Sequence, residues 1–500
     1  MRPLPGSTPT SPCGRSELFA TAALTAVFLA SRAVFWTVGV RFDASTITWY
    51  LQFLDPVLLR TDLLRSVYYL HNQPPLFNLL LGVVLKLFPE SYTTAFAVVY
   101  TFLGWVLILS LYALMRRLST PRWLALTAAV AFIISPPCIL YENWLFYTYP
   151  VTVALCAGGY FLHRFAEDLR WRDGLVFFFL LAALVLTRSL FQLFWLLFYV
   201  GLLAWQRRDG LRRILLCALL PLVLVLSVYT KNLYLFDRFT TSTWLGPSLW
   251  KISTAIVPEK EREALVAEHR LSPAALLDPF VFPATRYEAL VPPVKPTGVP
   301  ALDEVRRSTG AANPNNRAFL AISNLYLRDA LWVIRTHPSA YLKGVHWAYI
   351  AFFEPASAYW LLAPNVVHIV PWDEFWHRFI YGCTNPILPS LSDPPAPADM
   401  GILVVLAYAV AIAYGGYDLL RAIRQGRTAT ARFLTVAYVW LNLLYVMVIC
   451  NALEVGENNR FRFLTEPMAV VLLAACVSDS LSWLRPGRGI DERVSESLSH

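Results

Sequence analysis

Apolar residues run along this chain in long, nearly unbroken blocks, without the polar stripe that a surface helix of a soluble protein carries. The blocks fall near 17–40, 92–115, 123–140, 146–164, 174–187, 189–205, 211–229, 400–420, 432–450 and 463–484. A bilayer hydrocarbon core takes about 20 residues of helix, so these ten blocks predict ten membrane spans. Two shorter blocks, 74–88 and 339–354, fit a span, a re-entrant helix or a helix lying on the surface. They bring the predicted total to about 10–13. The first block is too long for a signal-peptide core, is interrupted by Arg32 and reads as an uncleaved span.

Composition agrees. Of 500 residues, 57% are apolar and 15% charged, against about 25% charged in a soluble domain. A soluble single domain, a disordered chain and a disulfide scaffold are excluded. Seven cysteines show no metal-ligand spacing. The net charge of +9 would suit nucleic acid in a soluble protein, but here the arginines gather in short connections between apolar blocks, as cytoplasmic loops do. Such clusters are Arg116, Arg117 and Arg122; Arg164, Arg170 and Arg172; Arg207, Arg208, Arg212 and Arg213; Arg421, Arg424, Arg427 and Arg432; and Arg485, Arg488 and Arg493. With both termini on that side, the opposite face receives 41–91, 141–146, residue 188, 230–399 and 451–462.

The chain therefore divides into a membrane module 1–229 with a first external loop 41–91, a large external region 230–399, membrane helices in 400–484 and a cytoplasmic tail 485–500. Helix is expected at 258–270 and 316–336, while prolines 292–300 and 394–397 break regular structure. The ends 1–16 and 486–500 read as disordered. No internal repeat is present.

Four polar features lie on the arginine-poor face. Asp43 follows the first block by a few residues, and between it and His71-Asn72-Gln73-Pro74-Pro75-Leu76 stand Ile47, Tyr50, Leu51, Leu54, Leu58 and Leu59 at helical spacing. An acid there meets a head group at the bilayer surface; equally, it caps the amphipathic helix that follows. Glu142 is the only charge in the connection Tyr141 to Pro150, whose aromatics, Tyr147 among them, fit an interfacial belt. Lys231-Asn232 ends a block ahead of a polar run reaching Gly246, and a lysine so placed also snorkels. Arg460 and Arg462 stand on the face that otherwise avoids arginine. Their guanidinium forks match phosphate oxygens, and structural pairing with Glu457 or Glu466 is the competing account.

On these residues the chain resembles the GT-C glycosyltransferases, in particular protein O-mannosyltransferases and the lipid A aminoarabinose transferase. Asp43 matches the family's first-loop acid, Gln73-Pro74-Pro75-Leu76 its Lys-Pro-Pro-Leu stretch, and Lys231-Asn232 and Asn459-Arg460-Phe461-Arg462 with Glu466-Pro467 further recurring features. The resemblance implies an all-α polytopic membrane protein, a GT-C type bundle of about 10–13 transmembrane helices with external juxtamembrane helices and one large external loop region. It implies transfer of a sugar from a polyprenyl-phosphate donor to a hydroxyl of a glycan, lipid or protein, on the non-cytoplasmic face and with inversion. Of the two catalytic residues, Asp43 would then be the base, and Glu142 would hold the acceptor or orient sugar hydroxyls. Lys231, Arg460 and Arg462 would bind the leaving phosphate, with His71, Asn72, Gln73, Tyr147 and Asn232 in the pocket. Gln73 replaces the relatives' phosphate-binding lysine, and Ala44 follows Asp43 where some relatives have a second acid. That second departure leaves a divalent cation weakly supported; no metal ligand is assigned and no cofactor expected beyond the donor lipid. A transporter or lipid flippase accounts for the same spans and for the membrane-embedded Arg32, and a membrane scaffold is the third class.

Overall fold

A computed structural model describes residues 15–384 and 397–483. Among them the chain is helical throughout, with two isolated β-bridges, Asp43 to Trp144 and Arg306 to Ala312. Five helices are long and apolar enough to cross a membrane: Ser16–Thr37, Tyr92–Arg117, Arg208–Phe236, Ile402–Arg424 and Ala431–Leu453. Large apolar side chains stand exposed along them, Leu215, Leu219, Val223, Leu403, Leu406 and Val410 among them. A surface of that kind is stable against lipid and not against water. The protein is an integral membrane protein.

A sixth candidate, a broken span or a re-entrant loop, is a bent helix pair. The helices Arg122–Ile133 and Pro136–Glu142 meet at 57°. Pro136 and Pro137 carry no N–H, so the carbonyls one turn earlier lose their donors. Side chains replace them: Arg32 Nη1 donates to the Ile133 carbonyl at 3.0 Å and Ser135 Oγ to that of Phe132 at 2.7 Å, while Trp372 Nε1 serves the neighbouring Ile134 carbonyl at 2.9 Å. Unpaired carbonyls cannot be left in a membrane interior, so the embedded arginine has a structural purpose.

The remaining predicted spans are helical but shorter or more polar: Thr148–Asp168, Trp171–Thr187, Leu193–Gln206 and Glu466–Trp483. By length and composition the count of clear spans is thus five, or six with the bent pair, below the ten to thirteen expected. The 74–88 and 339–354 stretches form the helices Pro75–Leu87 and Pro338–Phe353. The amphipathic stretch after Asp43 is not one helix but three, Thr46–Trp49, Pro56–Thr61 and Leu63–Tyr68, because Asp55 and Pro56 start a new one.

Within residues 230–399, Leu245–Ile252 packs on Phe319–Thr336 around Trp244, Trp250, Tyr287, Ile322 and Tyr326. Gly246 permits that approach, since a Cβ there would stand 2.8 Å from the Leu327 amide nitrogen. The expected helices appear as Glu259–Ala267 and Phe319–Thr336. Pro394 and Pro395 lie outside the described residues, as do the expected disordered ends except Arg15 and Ser16, which open the first helix.

Candidate active site

A cavity of about 1050 Å³ is lined both by ends of apolar helices and by residues of the 230–399 region. Part of its lining is apolar: Phe194, Tyr445, Ile449, Cys450 and Leu453. The last four share a face of the Ala431–Leu453 helix region, spaced by four, one and three residues. The ionic part of the lining is Arg188, Arg238, Lys251 and Arg460 with Asp278, Glu354, Glu454 and Glu457. Trp49 and Trp360 stand at its edge, ring centroids 5.9 Å apart.

Of the four cations, two are already committed. Lys251 pairs with Glu454 at 3.3 Å. Arg460, 1% exposed, pairs with Glu457 one turn before it, donates to Thr148 Oγ1 at 3.2 Å and lies over Phe146 and Phe461, each 4.8 Å from the ring centroid. Glu457 also accepts from the hydroxyls of Tyr50 and Tyr359, at 3.1 and 2.9 Å. Burial alone would raise the Glu457 pKa; Arg460 beside it, with Lys251 and the Tyr359 hydroxyl, brings it down to about 2. It is a locked carboxylate.

Arg188 differs. It forms the connection between the Trp171–Thr187 and Leu193–Gln206 helices. Its guanidinium donates to the Tyr147 hydroxyl and lies between the Tyr147 and Phe461 rings, 4.9 and 4.4 Å from their centroids. It makes no ion pair among the described residues, and its Nε is buried without a hydrogen-bond partner. An aromatic sandwich holds the charge rigid and leaves it electrostatically unspent.

The residues picked out from the sequence do not converge on this cavity as a group. Arg460, Tyr147 and Gln73 line it; Asp43, Glu142, Lys231, Arg462, His71, Asn72 and Asn232 do not. Each of these seven has local partners. Asp43 exchanges backbone bonds with Asn143 and Leu145, both 2.8 Å, and its Oδ1 takes the Ser45 amide at 2.8 Å; the carboxylate turns to its own loop, at the start of the short helix. Glu142 accepts Arg32 Nε at 2.8 Å on one oxygen, and Arg32 Nη2 and the Tyr149 hydroxyl (2.8 Å) on the other, which leaves little acceptor capacity for a substrate. Lys231 donates to the carbonyls of Tyr68 and Leu70 at 2.8 and 2.9 Å. Arg462, 0% exposed, pairs with Glu466 one turn on, at 3.0 Å, beneath the Tyr381 ring.

His71 is a clip between loops. Its Nε2 lies 3.0 Å from the Asn315 carbonyl and its Nδ1 3.0 Å from Thr243 Oγ1. A carbonyl only accepts, so Nε2 carries the proton and Nδ1 receives the threonine hydroxyl. Burial, with Lys231 adding to it, pushes its pKa down to about 3. Asn72 holds Ser242 through its carbonyl at 2.6 Å, and Asn232 Nδ2 donates to the Thr240 carbonyl at 2.6 Å. No group of three or more His, Cys, Asp or Glu among the described residues could hold a metal ion.

No family model and no curated protein matches this chain. A solved structure to which it is similar is the oligosaccharyltransferase of Archaeoglobus fulgidus, crystallised with a tethered acceptor peptide containing the NVT sequon. The two share 13% identity at a TM-score of 0.37, over 94% of this chain and 51% of that one. This chain thus spans about half the length of that protein, and a likeness so distant assigns neither activity nor residues.

Among the charged cavity residues that sequence reasoning did not assign to the site are Arg188, Lys251, Asp278 and Glu354. A usable signal existed for one. Arg188 is a lone arginine between two apolar blocks, on the face where arginine is otherwise scarce. The other three sit within residues 230–399, where nothing local distinguishes a cavity-facing charge from a solvated one.

Proposed function

We propose that this protein is a membrane glycosyltransferase of GT-C type that moves a sugar from a polyprenyl-phosphate donor to an acceptor hydroxyl. The observation that carries this reading is Arg188: a guanidinium with no carboxylate partner among the described residues, in a cavity also lined by the end of the Ala431–Leu453 helix. A lipid-tethered phosphate needs both. The isoprenoid lies along Phe194, Tyr445, Ile449 and Leu453, and the phosphate reaches Arg188, which shares the Phe461 ring with Arg460, whose Nε is unpartnered.

The chemistry follows from charge. As the anomeric C–O bond breaks, negative charge grows on the phosphate, and a fixed cation in a partly dry site stabilises it more than bulk water does. The phosphate is a good leaving group and needs no acid. Arg188 is held by Tyr147 and Phe461 before substrate arrives, so little reorganisation is required. The committed pairs, Lys251 with Glu454 and Arg460 with Glu457, brace the wall without adding net charge. The two tryptophans at the rim, Trp49 and Trp360, offer flat apolar faces to a sugar ring. Lys231 and Arg462 have no part in this arrangement.

The test uses the full-length protein in detergent, where no gradient exists. It is offered a panel of polyprenyl-phosphate sugars, and consumption of each is followed by mass spectrometry. Binding of undecaprenyl phosphate, the form of the lipid left after transfer, is titrated in parallel. Consumption of one donor and a saturable lipid-phosphate site lost on Arg188→Gln are the expected results. Wild-type protein that binds no undecaprenyl phosphate and consumes no donor overturns the reading.

A further inference from the structure

Glycosyl transfer to a hydroxyl needs somewhere for the proton to go, and four carboxylates line the cavity. Three are engaged. Glu457 is locked by Arg460 and two tyrosine hydroxyls, Glu454 by Lys251, and Asp278 Oδ1 holds the Phe280 amide at 2.8 Å. Glu354 remains. It follows directly on the Pro338–Phe353 helix and precedes Pro355. It is 6% exposed, forms no ion pair among the described residues, and its Oε1 accepts no hydrogen bond there. A buried carboxylate oxygen with an idle lone pair is costly in a folded protein, and such a group on the wall of a substrate cavity calls for a use.

We propose that Glu354 is the proton acceptor for the attacking hydroxyl, a role that rests on the glycosyl-transfer reading above. The hydroxyl proton passes to the Glu354 carboxylate as the acceptor oxygen forms its bond to the anomeric carbon. The bond from that carbon to the phosphate oxygen breaks, and its electron pair leaves on the phosphate at Arg188. The products are the glycoside, the polyprenyl phosphate and a protonated Glu354, which returns its proton to water. No other reactant is needed.

The surroundings suit the task. The charged and titratable groups facing Glu354 are Asp399, Arg462 and the Cys383 thiol. Arg462 is the only cation among them, and Glu466 already holds it. Burial, and then Asp399, push the Glu354 carboxyl up to about 7 against the pull of Arg462. A base of that strength is half deprotonated near neutral pH and takes a proton readily. Glu457, at about 2, is too weak a base for the same step.

The experiment compares Glu354→Gln, Glu354→Asp and Asp43→Asn with wild type, using whichever donor the panel identifies. Undecaprenyl phosphate binding reports on fold and donor site. Glu354→Gln is expected to bind undecaprenyl phosphate within twofold of wild type and to lose transfer by at least ~100-fold, the range for a general base. Glu354→Asp keeps part of the activity. In wild type, transfer rises with pH through about 7, and the residual activity of Glu354→Gln lacks that limb. A Glu354→Gln enzyme that transfers at the wild-type rate, or that keeps the same acid limb, overturns the proposal. Loss of the limb in Asp43→Asn instead moves the proton to Asp43. Wild-type protein that neither binds the lipid phosphate nor consumes a donor removes glycosyl transfer itself, a result distinct from either.

Discussion

Arg188 and Arg460 line the same cavity and lie over the same Phe461 ring, yet they should respond to mutation in opposite ways. Replace each by glutamine. In Arg460→Gln the partner Glu457 stays buried, left to two tyrosine hydroxyls and Lys251. Breaking a buried pair on one side costs about 3–5 kcal/mol. In Arg188→Gln no carboxylate among the described residues is orphaned. The change loses one hydrogen bond to Tyr147 and two ring contacts, each about 0.5–1 kcal/mol. It also removes a buried, unpartnered Nε, whose burial costs about 1–3 kcal/mol. These nearly cancel, so the stability change should stay within about 1 kcal/mol. Lipid-phosphate affinity should behave otherwise. A charge-assisted hydrogen bond contributes about 1.5–3 kcal/mol, which is roughly 10- to 150-fold in Kd. Thermal unfolding in detergent and a titration with undecaprenyl phosphate measure the two quantities on the same preparations. Arg188→Gln should unfold with wild type and bind the lipid weakly; Arg460→Gln should unfold many degrees earlier. If Arg188→Gln is as unstable as Arg460→Gln, or binds the lipid as tightly as wild type, the division between a spent and an unspent cation is wrong.

Three further outcomes follow from contacts elsewhere in the molecule. His71 has an ordinary pKa of 6.5 and a folded value of about 3, so the unfolded chain binds the extra proton as pH falls; stability is present above 6.5 and drains away below it, by about 2 kcal/mol between pH 7 and 5, and His71→Asn should flatten that part of the pH–stability curve. The Arg32–Glu142 pair should show strong coupling in a double-mutant cycle: Glu142→Gln leaves Arg32 unpaired in the bilayer and destabilises by several kcal/mol, whereas adding Arg32→Met recovers part of the loss, and an additive cycle would contradict a mutual pair. Gly246→Ala forces a Cβ against the Phe319–Thr336 backbone, 2.8 Å from the Leu327 nitrogen, so limited proteolysis should cut the 230–399 region of this variant faster than that of wild type.

Much of the fold could be read from the sequence because membrane helices announce themselves by length and apolarity, and each apolar block chosen on that basis is helical. The charges were harder, for a reason visible at particular residues. Arg460 and Arg462 each have a glutamate one turn away, Glu457 three residues before and Glu466 four residues after. At that spacing a helix brings the pair together by itself, so pairing and phosphate binding are both open; Glu466 pairs with Arg462 and takes its Nε, while Nη1 and Nη2 make no hydrogen bond among the described residues. Asp43 was open in the same way between a head group and a local cap, and its Oδ1 takes the Ser45 amide. Lys231 found two carbonyls at the end of a short helix far away in sequence, a partnership no local pattern reveals.

The residues that remain available are those with no suitable neighbour close in sequence. Nothing acidic lies within a turn of Arg188, and no base lies within a turn of Glu354. Both are therefore unspent at the level of local structure, and the tertiary fold then places them on the wall of one cavity without ion-pair partners among the described residues. Leaving a half-buried guanidinium and a buried carboxylate without ion-pair partners costs stability. That cost is offset only when a ligand carries the missing charge: a phosphate for the guanidinium, and a proton from the acceptor for the carboxylate. The same logic separates Arg188 from Arg32, an equally isolated arginine in sequence, which the fold pairs with Glu142 and with the carbonyl freed by Pro136 and Pro137. Undecaprenyl phosphate should therefore raise the unfolding temperature of wild type and of Arg32→Lys alike while leaving Arg188→Gln unmoved, and a shift in Arg188→Gln equal to that of wild type would place the lipid phosphate elsewhere.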